Sequence, residues 1–298
     1  MSAGSIFLGA DRRLRPFWRA VVFVPVFLAF LFMLLTLATT LVGQLRPQED
    51  FELAVAISGL CAVGAALLSA MLLLRQLDLR SFRSLGLWFY PGWARELGLG
   101  LVGGFSLTSV VVGVGWLLGG VHFCELATGG LSVLTVAAWG LVVLLPAAAS
   151  EELIFRGYPF QRLVEAWGKV WAVLALAALF GGLHLKNPSA TPLSTLNTGL
   201  MGILLALTYL KTRGLWLPIG LHFAWNYVLA FIYSLPVSGI RLRAGLWRME
   251  VTGAEWLTGS NYGPEGSILT TVVAVAAIAT LVRTRRLGVS PAQAQAVQ

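Results

Sequence analysis

The sequence predicts an all-α fold, a polytopic membrane helix bundle of about eight transmembrane helices with the N- and C-termini cytoplasmic. The first reason is composition: 57% of the 298 residues are hydrophobic and 11% are charged, whereas about a quarter of the residues in a soluble domain are charged. The second is the recurrence of long uncharged stretches, most of which supply the ~20 apolar residues that a spanning helix needs. Together they exclude a soluble globular protein.

Eight apolar stretches are the predicted spans. In chain order they are residues 20–45, 53–74, 97–125, 126–150, 170–183, 188–210, 215–240 and 267–282. The fifth and eighth are short for a helix that crosses the bilayer. We divide the chain accordingly into three parts. Residues 1–125 form an N-terminal transmembrane region of about three helices, residues 126–235 form a core, and residues 236–298 comprise an outer loop, the last transmembrane helix and a cytoplasmic tail.

The positive charge of the chain is distributed as a membrane topology requires. The net charge is +8, which would suit nucleic-acid binding if the basic residues were clustered. With eight spans and a cytoplasmic N-terminus, however, 16 of the 21 basic residues fall in inside segments, as the positive-inside rule expects. We therefore predict a multi-pass protein of the cell membrane whose partner is the lipid bilayer, and no nucleic-acid partner.

The segments between and after the spans have their own predictions. Cys61 lies in the second span and Cys124 in an outer loop, so no disulfide between them is expected. Residues 236–266 read as an ordinary interfacial outer loop, with a lid over a substrate entrance as the alternative. The Ala/Gln-rich tail, residues 288–298, is predicted to be disordered.

Two adjacent glutamates stand at the end of the uncharged run 131–149, with an arginine shortly after them. Ionisable groups inside a membrane are costly and mark functional sites by default. Glu152 and Arg156 are four residues apart with the acid first, the better orientation for an ion pair on a helix. Glu151 points about 100° away from Glu152. The spacing therefore predicts a structural Glu152–Arg156 pair and a Glu151 that is free to react.

His184 directly follows the fifth apolar stretch, and His222 lies within the seventh. His184 follows Phe180 by four residues, and Asn226 follows His222 by four, so each pair shares one face of a helix. An intramembrane imidazole often only joins helices, but the glutamates, these histidines and the amide together suit the activation of water and the stabilisation of an oxyanion. His122, the third histidine, is expected to be a solvated loop residue.

Glu151 and His184 can contact the same water only if they lie at the same depth in the membrane. Simple spans would put Glu151 at the cytoplasmic end of the fourth helix and His184 ~22 Å of helical rise towards the other face. The fourth helix is therefore predicted to continue to about Phe160. The adjacent Gly181 and Gly182 indicate close contact between His184's helix and a neighbour.

The Glu-Glu-x-x-x-Arg, Phe-x-x-x-His and His-x-x-x-Asn motifs begin at Glu151, Phe180 and His222. In this order they resemble the CAAX prenyl protease and bacteriocin-processing (CPBP or Abi) family of intramembrane proteases. The resemblance covers about residues 131–233 and includes two longer runs, EELIFRG at 151–157 and LWLPIGLHFAWN at 215–226. It marks residues 126–235 as the protease core, and residues 1–125 as a region that varies among such proteins. It implies an endopeptidase acting inside the bilayer on a peptide or membrane-protein substrate.

The resemblance also implies roles for individual residues. Glu151 and His184 would polarise the attacking water, and His222 and Asn226 would bind the oxyanion. Glu152 and Arg156 would brace the helix that carries them.

Three alternatives remain open from the sequence. In the first, zinc is held by Glu151, His184 and His222, a ligand set that suits a catalytic metal. No His-Glu-x-x-His helix is present, so metal-free chemistry without a cofactor is favoured. In the second, the same three residues form the proton relay of a proton-coupled transporter, although no repeated halves with broken helices are evident. In the third, the protein binds a partner without cleaving it.

Overall fold

The computed structural model describes residues 6–9, 11–42, 50–126, 132–242 and 245–297. Within them the chain is built mainly from long helices. These are α1 (Pro16–Val42), α2 (Phe51–Leu73), α3 (Trp93–Leu117), α4 (Val133–Phe155), α5 (Tyr158–Leu183), α6 (Pro192–Thr212), α7 (Trp216–Tyr227), the single-turn α8 (Glu255–Thr258), α9 (Ile268–Arg283) and α10 (Pro291–Val297). A π-helical turn extends α2 through Leu74–Asp78, and another extends α7 through Val228–Ile232. Each of the eight predicted apolar stretches overlaps one of these helices, although residues 43–45 and 127–131 of the predicted spans lie outside the described residues.

Several helices begin where the sequence supplies a capping side chain. Asp50 accepts hydrogen bonds from two backbone amides at the start of α2, and Ser132 accepts one at the start of α4. Thr191 and Ser194 form a reciprocal capping box in front of α6, which has Pro192 at its first position. Ser267 caps α9. Each side chain satisfies an amide that has no partner within its own helix.

Within the described residues, five continuous helical stretches are long and apolar enough to cross a membrane. They are Pro16–Leu41, Phe51–Asp78, Trp93–Leu117, Val133–Lys186 and Pro192–Thr212. Trp216–Ile232 and Ile268–Arg283 are apolar but shorter. The chain is therefore a helical membrane protein. The 54 residues of Val133–Lys186 would extend ~80 Å as one straight helix, which is more than twice the thickness of a bilayer core.

This long stretch is divided at two points. The first is the Arg156-Gly157 turn, where α4 ends and both residues leave helical geometry. The prediction that this helix continues to about Phe160 is therefore wrong. Pro159 favours a break here, because in the first turn of α5 its missing amide hydrogen removes no helical hydrogen bond, whereas inside a longer α4 it would remove one.

The second division lies inside α5, at Gly168, whose φ of 80° interrupts the helix. Such a backbone conformation favours glycine. The first part of α5 packs against the segment after α2, since Gln161 donates to the carbonyl of Ser84 at 3.0 Å. The second part, after Gly168, carries His184 at its end. The bend at Gly168, and not a longer α4, therefore allows the segments that carry Glu151 and His184 to approach each other.

A buried ionic cluster holds α1, α2 and α5 together. Asp78, fully buried after α2, accepts a hydrogen bond from Arg19 of α1 at 2.8 Å and another from Arg162 of α5. Arg162 also lies 2.9 Å from Glu165. Because an unpaired charge in such a place is very costly, the cluster fixes how α1 and the first part of α5 pack.

α7 is positioned by close backbone packing against α3. A Cβ atom on Gly100 or Gly104 of α3 would meet backbone atoms of α7, and one on Gly220 of α7 would meet backbone atoms of α3. Small residues let membrane helices approach in this way. The contact places α7, which carries His222 and Asn226, beside α3.

Two features depart from the predicted all-helical plan. Residues Val121–Leu126 and Trp247–Val251 form an antiparallel pair of strands, β1 and β2, that joins the two predicted outer loops. The tail was predicted to be disordered, but Pro291–Val297 forms α10, so that prediction is wrong. The fully buried Gln293 explains it: its amide accepts from Trp88 at 2.7 Å and donates to the carbonyl of Arg213 at 2.8 Å.

Candidate active site

Glu152 and Arg156 form the predicted ion pair at the end of α4. Arg156 Nη1 donates to Glu152 Oε1 at 3.0 Å, and their side chains are 2% and 0% exposed. Arg156 Nη2 donates to the carbonyl of Gly202 on α6 at 3.0 Å. The guanidinium also lies over the ring of Phe180 on α5, 4.8 Å from its centroid, a favourable cation–π geometry. Arg156 therefore joins α4, α5 and α6.

His222 stands between the two glutamates. Its Nδ1 is 2.7 Å from Glu152 Oε1, and its Nε2 is 3.8 Å from Glu151 Oε2. An ionised carboxylate only accepts hydrogen bonds, so Nδ1 of His222 carries a hydrogen and donates it to Glu152. The separation from Glu151 is too long for a direct hydrogen bond. The orientation of His222 is thus set by the same carboxylate that pairs with Arg156.

His184 ends α5 with its ring against Phe180, as the four-residue spacing predicts. Its Nδ1 is 2.7 Å from the carbonyl oxygen of Phe180, and the two ring centroids are 4.7 Å apart. The carbonyl can only accept, so Nδ1 carries the hydrogen and Nε2 is the nitrogen left to accept. Phe180 also meets the ring of His222 edge-on, with centroids 6.3 Å apart. The ring of Phe180 therefore packs against both imidazoles.

The four residues predicted to be catalytic line one cavity of about 410 Å³. Glu151, His184, His222 and Asn226 contribute its polar groups, together with Asn187, Thr198 and Ser238. The rest of the lining is apolar: Val55, Val143, Leu144, Ala147, Phe155, Phe180, Leu183, Ala230, Val237, Ile240 and Leu242. A mostly apolar cavity with a few converging polar groups is the usual form of a binding or catalytic site. His122, by contrast, is exposed in β1.

The two glutamates differ in surroundings as their spacing predicts. The side chain of Glu151 is 36% exposed and faces the cavity, whereas that of Glu152 is completely buried. Glu151 Oε2 has no hydrogen-bond partner among the described residues. Glu151 Oε2 is itself buried, and Glu152 Oε2 also lacks a partner among these residues, so the exposure of its side chain to the cavity is what distinguishes Glu151.

Sequence reasoning missed two features of the site. The first is the contact of Glu152 with His222, which joins residues 70 positions apart and leaves no local signal. The second is the contribution of residues 237–242 to the cavity wall. A lid was only the less favoured interpretation of residues 236–266, and nothing in the sequence indicated which residues would face the cavity.

The predicted zinc ligands do not have the geometry of a metal site. Among the described residues, no group of three or more His, Cys, Asp or Glu side chains is arranged to hold a metal ion. Glu151 Oε2 and His222 Nε2, at 3.8 Å, lie farther apart than the ~3.3 Å that separates ligands around tetrahedral zinc with bonds of ~2.0 Å. Glu151, His184 and His222 therefore do not fit zinc as they stand.

Gly181 supports the position of His184, and its neighbour provides a matched control. A Cβ on Gly181 would lie 2.8 Å from the carbonyl oxygen of Thr195 on α6, whereas a Cβ on Gly182 would meet nothing within 4 Å. Of the two glycines predicted to make a close helix contact, Gly181 therefore makes it and Gly182 faces open space.

We expect Gly181→Ala to separate α5 from α6 and to lower the melting temperature of the protein in detergent. Overpacking costs about 1–3 kcal/mol. Gly182→Ala should leave the melting temperature unchanged or raise it slightly, because alanine favours helix over glycine. Equal melting temperatures for the two variants would contradict this packing.

The comparison with protein families agrees with the geometry. Residues 133–228 match the family model described as type II CAAX prenyl endopeptidase Rce1-like. No curated protein and no solved structure matches the chain. The match supports neither the bacteriocin-processing (Abi) part of the resemblance nor a metalloprotease. It begins with α4, ends just after α7 and contains every residue of the Glu151, His184 and His222 motifs. The segment 133–228 is thus similar to the Rce1-like type II CAAX prenyl endopeptidases.

Proposed function

We propose that this protein is an intramembrane endopeptidase that hydrolyses a peptide bond in the cavity between α4, α5 and α7. One observation carries the proposal: Glu151, His184, His222 and Asn226 line the same cavity, inside the segment that matches a family of endopeptidases. The proposed substrate is a peptide or a membrane protein. The proposed attacking group is a water molecule.

Glu151 is the proposed general base. Its side chain is 36% exposed and faces the cavity, whereas the side chain of Glu152 is completely buried. A water molecule held by Glu151 and by His184 Nε2 would lose its proton to Glu151 as its oxygen attacks the carbonyl carbon. A carboxylate in this role contributes typically 10²–10⁴-fold to a rate. His184 would orient the water, because its Nδ1 is committed to the carbonyl of Phe180.

His222 and Asn226 form the proposed oxyanion site. As an imidazolium, His222 donates through Nδ1 to Glu152 and through Nε2 into the cavity. The amide nitrogen of Asn226, one helical turn further along α7, supplies a second donor. Fixed donors aimed at a developing negative charge are worth about 10²–10³ in rate each. Because His222 and Asn226 lie on the same helix, the relative position of the two donors is fixed.

The reaction ends with cleavage of the carbon–nitrogen bond. As the tetrahedral intermediate collapses, the proton that Glu151 took from water passes to the leaving amine. The carboxyl product keeps the oxygen of the water. Glu152 and Arg156 take no part in bond making, and their proposed role is to hold His222 in position. The proposed chemistry contains no step through a metal ion.

The substrate class and the orientation in the membrane are further parts of the proposal. The matching family is named for CAAX prenyl endopeptidases, so a prenylated CAAX peptide belongs among the substrates to be tried. Eight spans with cytoplasmic termini are supported by the 16 of 21 basic residues in predicted inside segments. The cavity wall formed by residues 237–242 would then lie towards the non-cytoplasmic side of the cell membrane.

The test is hydrolysis of a peptide library, including prenylated CAAX peptides, by the protein purified in detergent. We expect cleavage by the parent and a large loss in His184→Ala, His222→Ala and Asn226→Ala. Exhaustive chelation should leave the parent active. Equal cleavage by the parent and all three variants would disprove the assignment. Activity that disappears with the chelator and returns with zinc would disprove the metal-free chemistry.

A further inference from the structure

A tight turn closes one side of the cavity. Val237 and Ile240 exchange two backbone hydrogen bonds, of 2.8 and 2.9 Å. The two residues between them, Ser238 and Gly239, have φ angles of 49° and 82°. Two central residues with positive φ are typical of a type I′ hairpin turn. Because residues 237, 238, 240 and 242 line the cavity, we call the segment 237–242 the cap.

Glu265, which lies outside the family match, joins this cap to the catalytic helix. Its Oε1 accepts a hydrogen bond from the indole nitrogen of Trp225 at 3.0 Å. Its Oε2 accepts from the backbone amide of Ser238 and from the hydroxyl of Ser238, the latter at 2.9 Å. Trp225 is buried on α7 next to Asn226 and three residues after His222. One carboxylate thus bridges the helix that bears the proposed oxyanion site and the wall that faces it.

The cap has further contacts around this carboxylate. The side-chain amide of Asn187, itself a lining residue, donates to the carbonyl of Ser238 at 3.1 Å. The backbone amide of Gly239 donates to the carbonyl of Tyr262 at 2.9 Å. Asn197 of α6 holds Glu265 in place by donating to its backbone carbonyl at 2.8 Å. The segment around Glu265 is therefore anchored on the helix bundle, and the cap is anchored on that segment.

We propose that Glu265 is a positioning residue that latches the cap against the cavity and so determines which peptide segments the cavity accepts. This inference rests on the proposed endopeptidase function. A carboxylate accepting from two groups of the cap and one of α7 makes charge-assisted hydrogen bonds, which are stronger than neutral ones. Glu265 does not itself line the cavity, since its contacts pass through Trp225 and Ser238. Its effect is therefore on binding and on the register of cleavage.

The first experiment measures KM, kcat and the cleavage positions on a peptide that the parent cleaves. The variants are Glu265→Ala, Glu265→Gln and Ser238→Ala, with Glu250→Gln as control because Glu250 is an exposed glutamate of the nearby β2. We expect Glu265→Ala to raise KM about tenfold or more, the scale for loss of hydrogen bonds to a charged group. It should also add cleavage positions, while kcat stays close to that of the parent.

The remaining variants should change KM and the cleavage positions less than Glu265→Ala does. Glu265→Gln should show a smaller change, since glutamine keeps an acceptor for Trp225 but turns an amide donor towards the amide of Ser238. Ser238→Ala keeps its backbone hydrogen bond and should change least, and it remains informative if Glu265→Ala fails to fold. An unchanged KM and cleavage pattern in Glu265→Ala would overturn the proposal. So would a loss of kcat at constant KM.

The second experiment separates this inference from the proposed function. Ile240→Cys is introduced after Cys61 and Cys124 have been replaced by alanine, and its rate of modification by a maleimide is measured with and without Glu265→Ala. We expect labelling about tenfold faster without Glu265, because the latch hydrogen bonds involve a charged group. If the parent cleaves no peptide, the proposed function fails but faster labelling still supports the latch. Equal labelling rates would overturn it.

Discussion

Replacing Glu151 with glutamine is expected to lower kcat by about 10²–10⁴-fold, the usual contribution of a general base. The thermal stability of the protein should not change. Glutamine has the same shape, and Glu151 Oε2 makes no hydrogen bond to the described residues that the substitution would remove. The side chain is also 36% exposed, so its charge is not stabilised by a closed ionic network.

The measurement is single-turnover hydrolysis of a cleavable peptide alongside a melting curve in detergent. Glu125→Gln is the control, because Glu125 is an exposed acid whose side chain is 62% exposed. It should match the parent in both measurements. Retention of kcat by Glu151→Gln would contradict the assignment of the base. A large drop in its melting temperature would contradict the separation of roles between Glu151 and Glu152.

Replacing Arg156 with alanine is expected to lower both stability and activity. It removes the guanidinium that pairs with the completely buried carboxylate of Glu152 and leaves the carbonyl of Gly202 without its donor. Removing one partner of a buried pair typically costs about 3–5 kcal/mol. Since Glu152 also orients His222, the loss of the pair should disturb the proposed oxyanion site as well.

A matched control tests whether burial causes this effect. Arg80 pairs with Glu165 at 2.7 Å, but the two side chains are 35% and 34% exposed, and such partly exposed pairs contribute about 0–1 kcal/mol. Arg80→Ala should therefore change the denaturation midpoint far less than Arg156→Ala. Arg156→Lys should recover only part of the stability, because lysine lacks the planar fork that reaches both Glu152 and Gly202. Similar midpoints for Arg80→Ala and Arg156→Ala would contradict the structural role of the buried pair.

Local periodicity and spacing were sufficient for the parts of the structure that depend on neighbouring residues. The uncharged stretches predicted where the helices lie, because a membrane helix satisfies its own backbone groups and needs only an apolar surface. The four-residue spacing predicted the Glu152–Arg156 pair and the common face of Phe180 and His184. Both are properties of a single helix.

Periodicity and spacing could not predict contacts between residues that are far apart in the sequence. The contact of Glu152 with His222 depends on how α4 packs against α7. The extension of α4 to Phe160 was predicted so that Glu151 and His184 could meet, but the structure brings them together through the bend at Gly168. A glycine in an apolar stretch does not reveal its φ angle. The buried Gln293 behaves similarly: an Ala/Gln-rich tail reads as disordered until the partners of its amide, Trp88 and Arg213, are known.

In the proposed reaction, water activated by Glu151 cleaves a peptide bond in this cavity. The decisive measurement is the mass of the products after the purified protein is incubated with a peptide in water enriched in oxygen-18. We expect two new termini, one oxygen-18 atom in the new carboxyl group, and neither product in Glu151→Gln. The absence of new termini with the parent, or the same labelled products in equal amounts from Glu151→Gln, would contradict it.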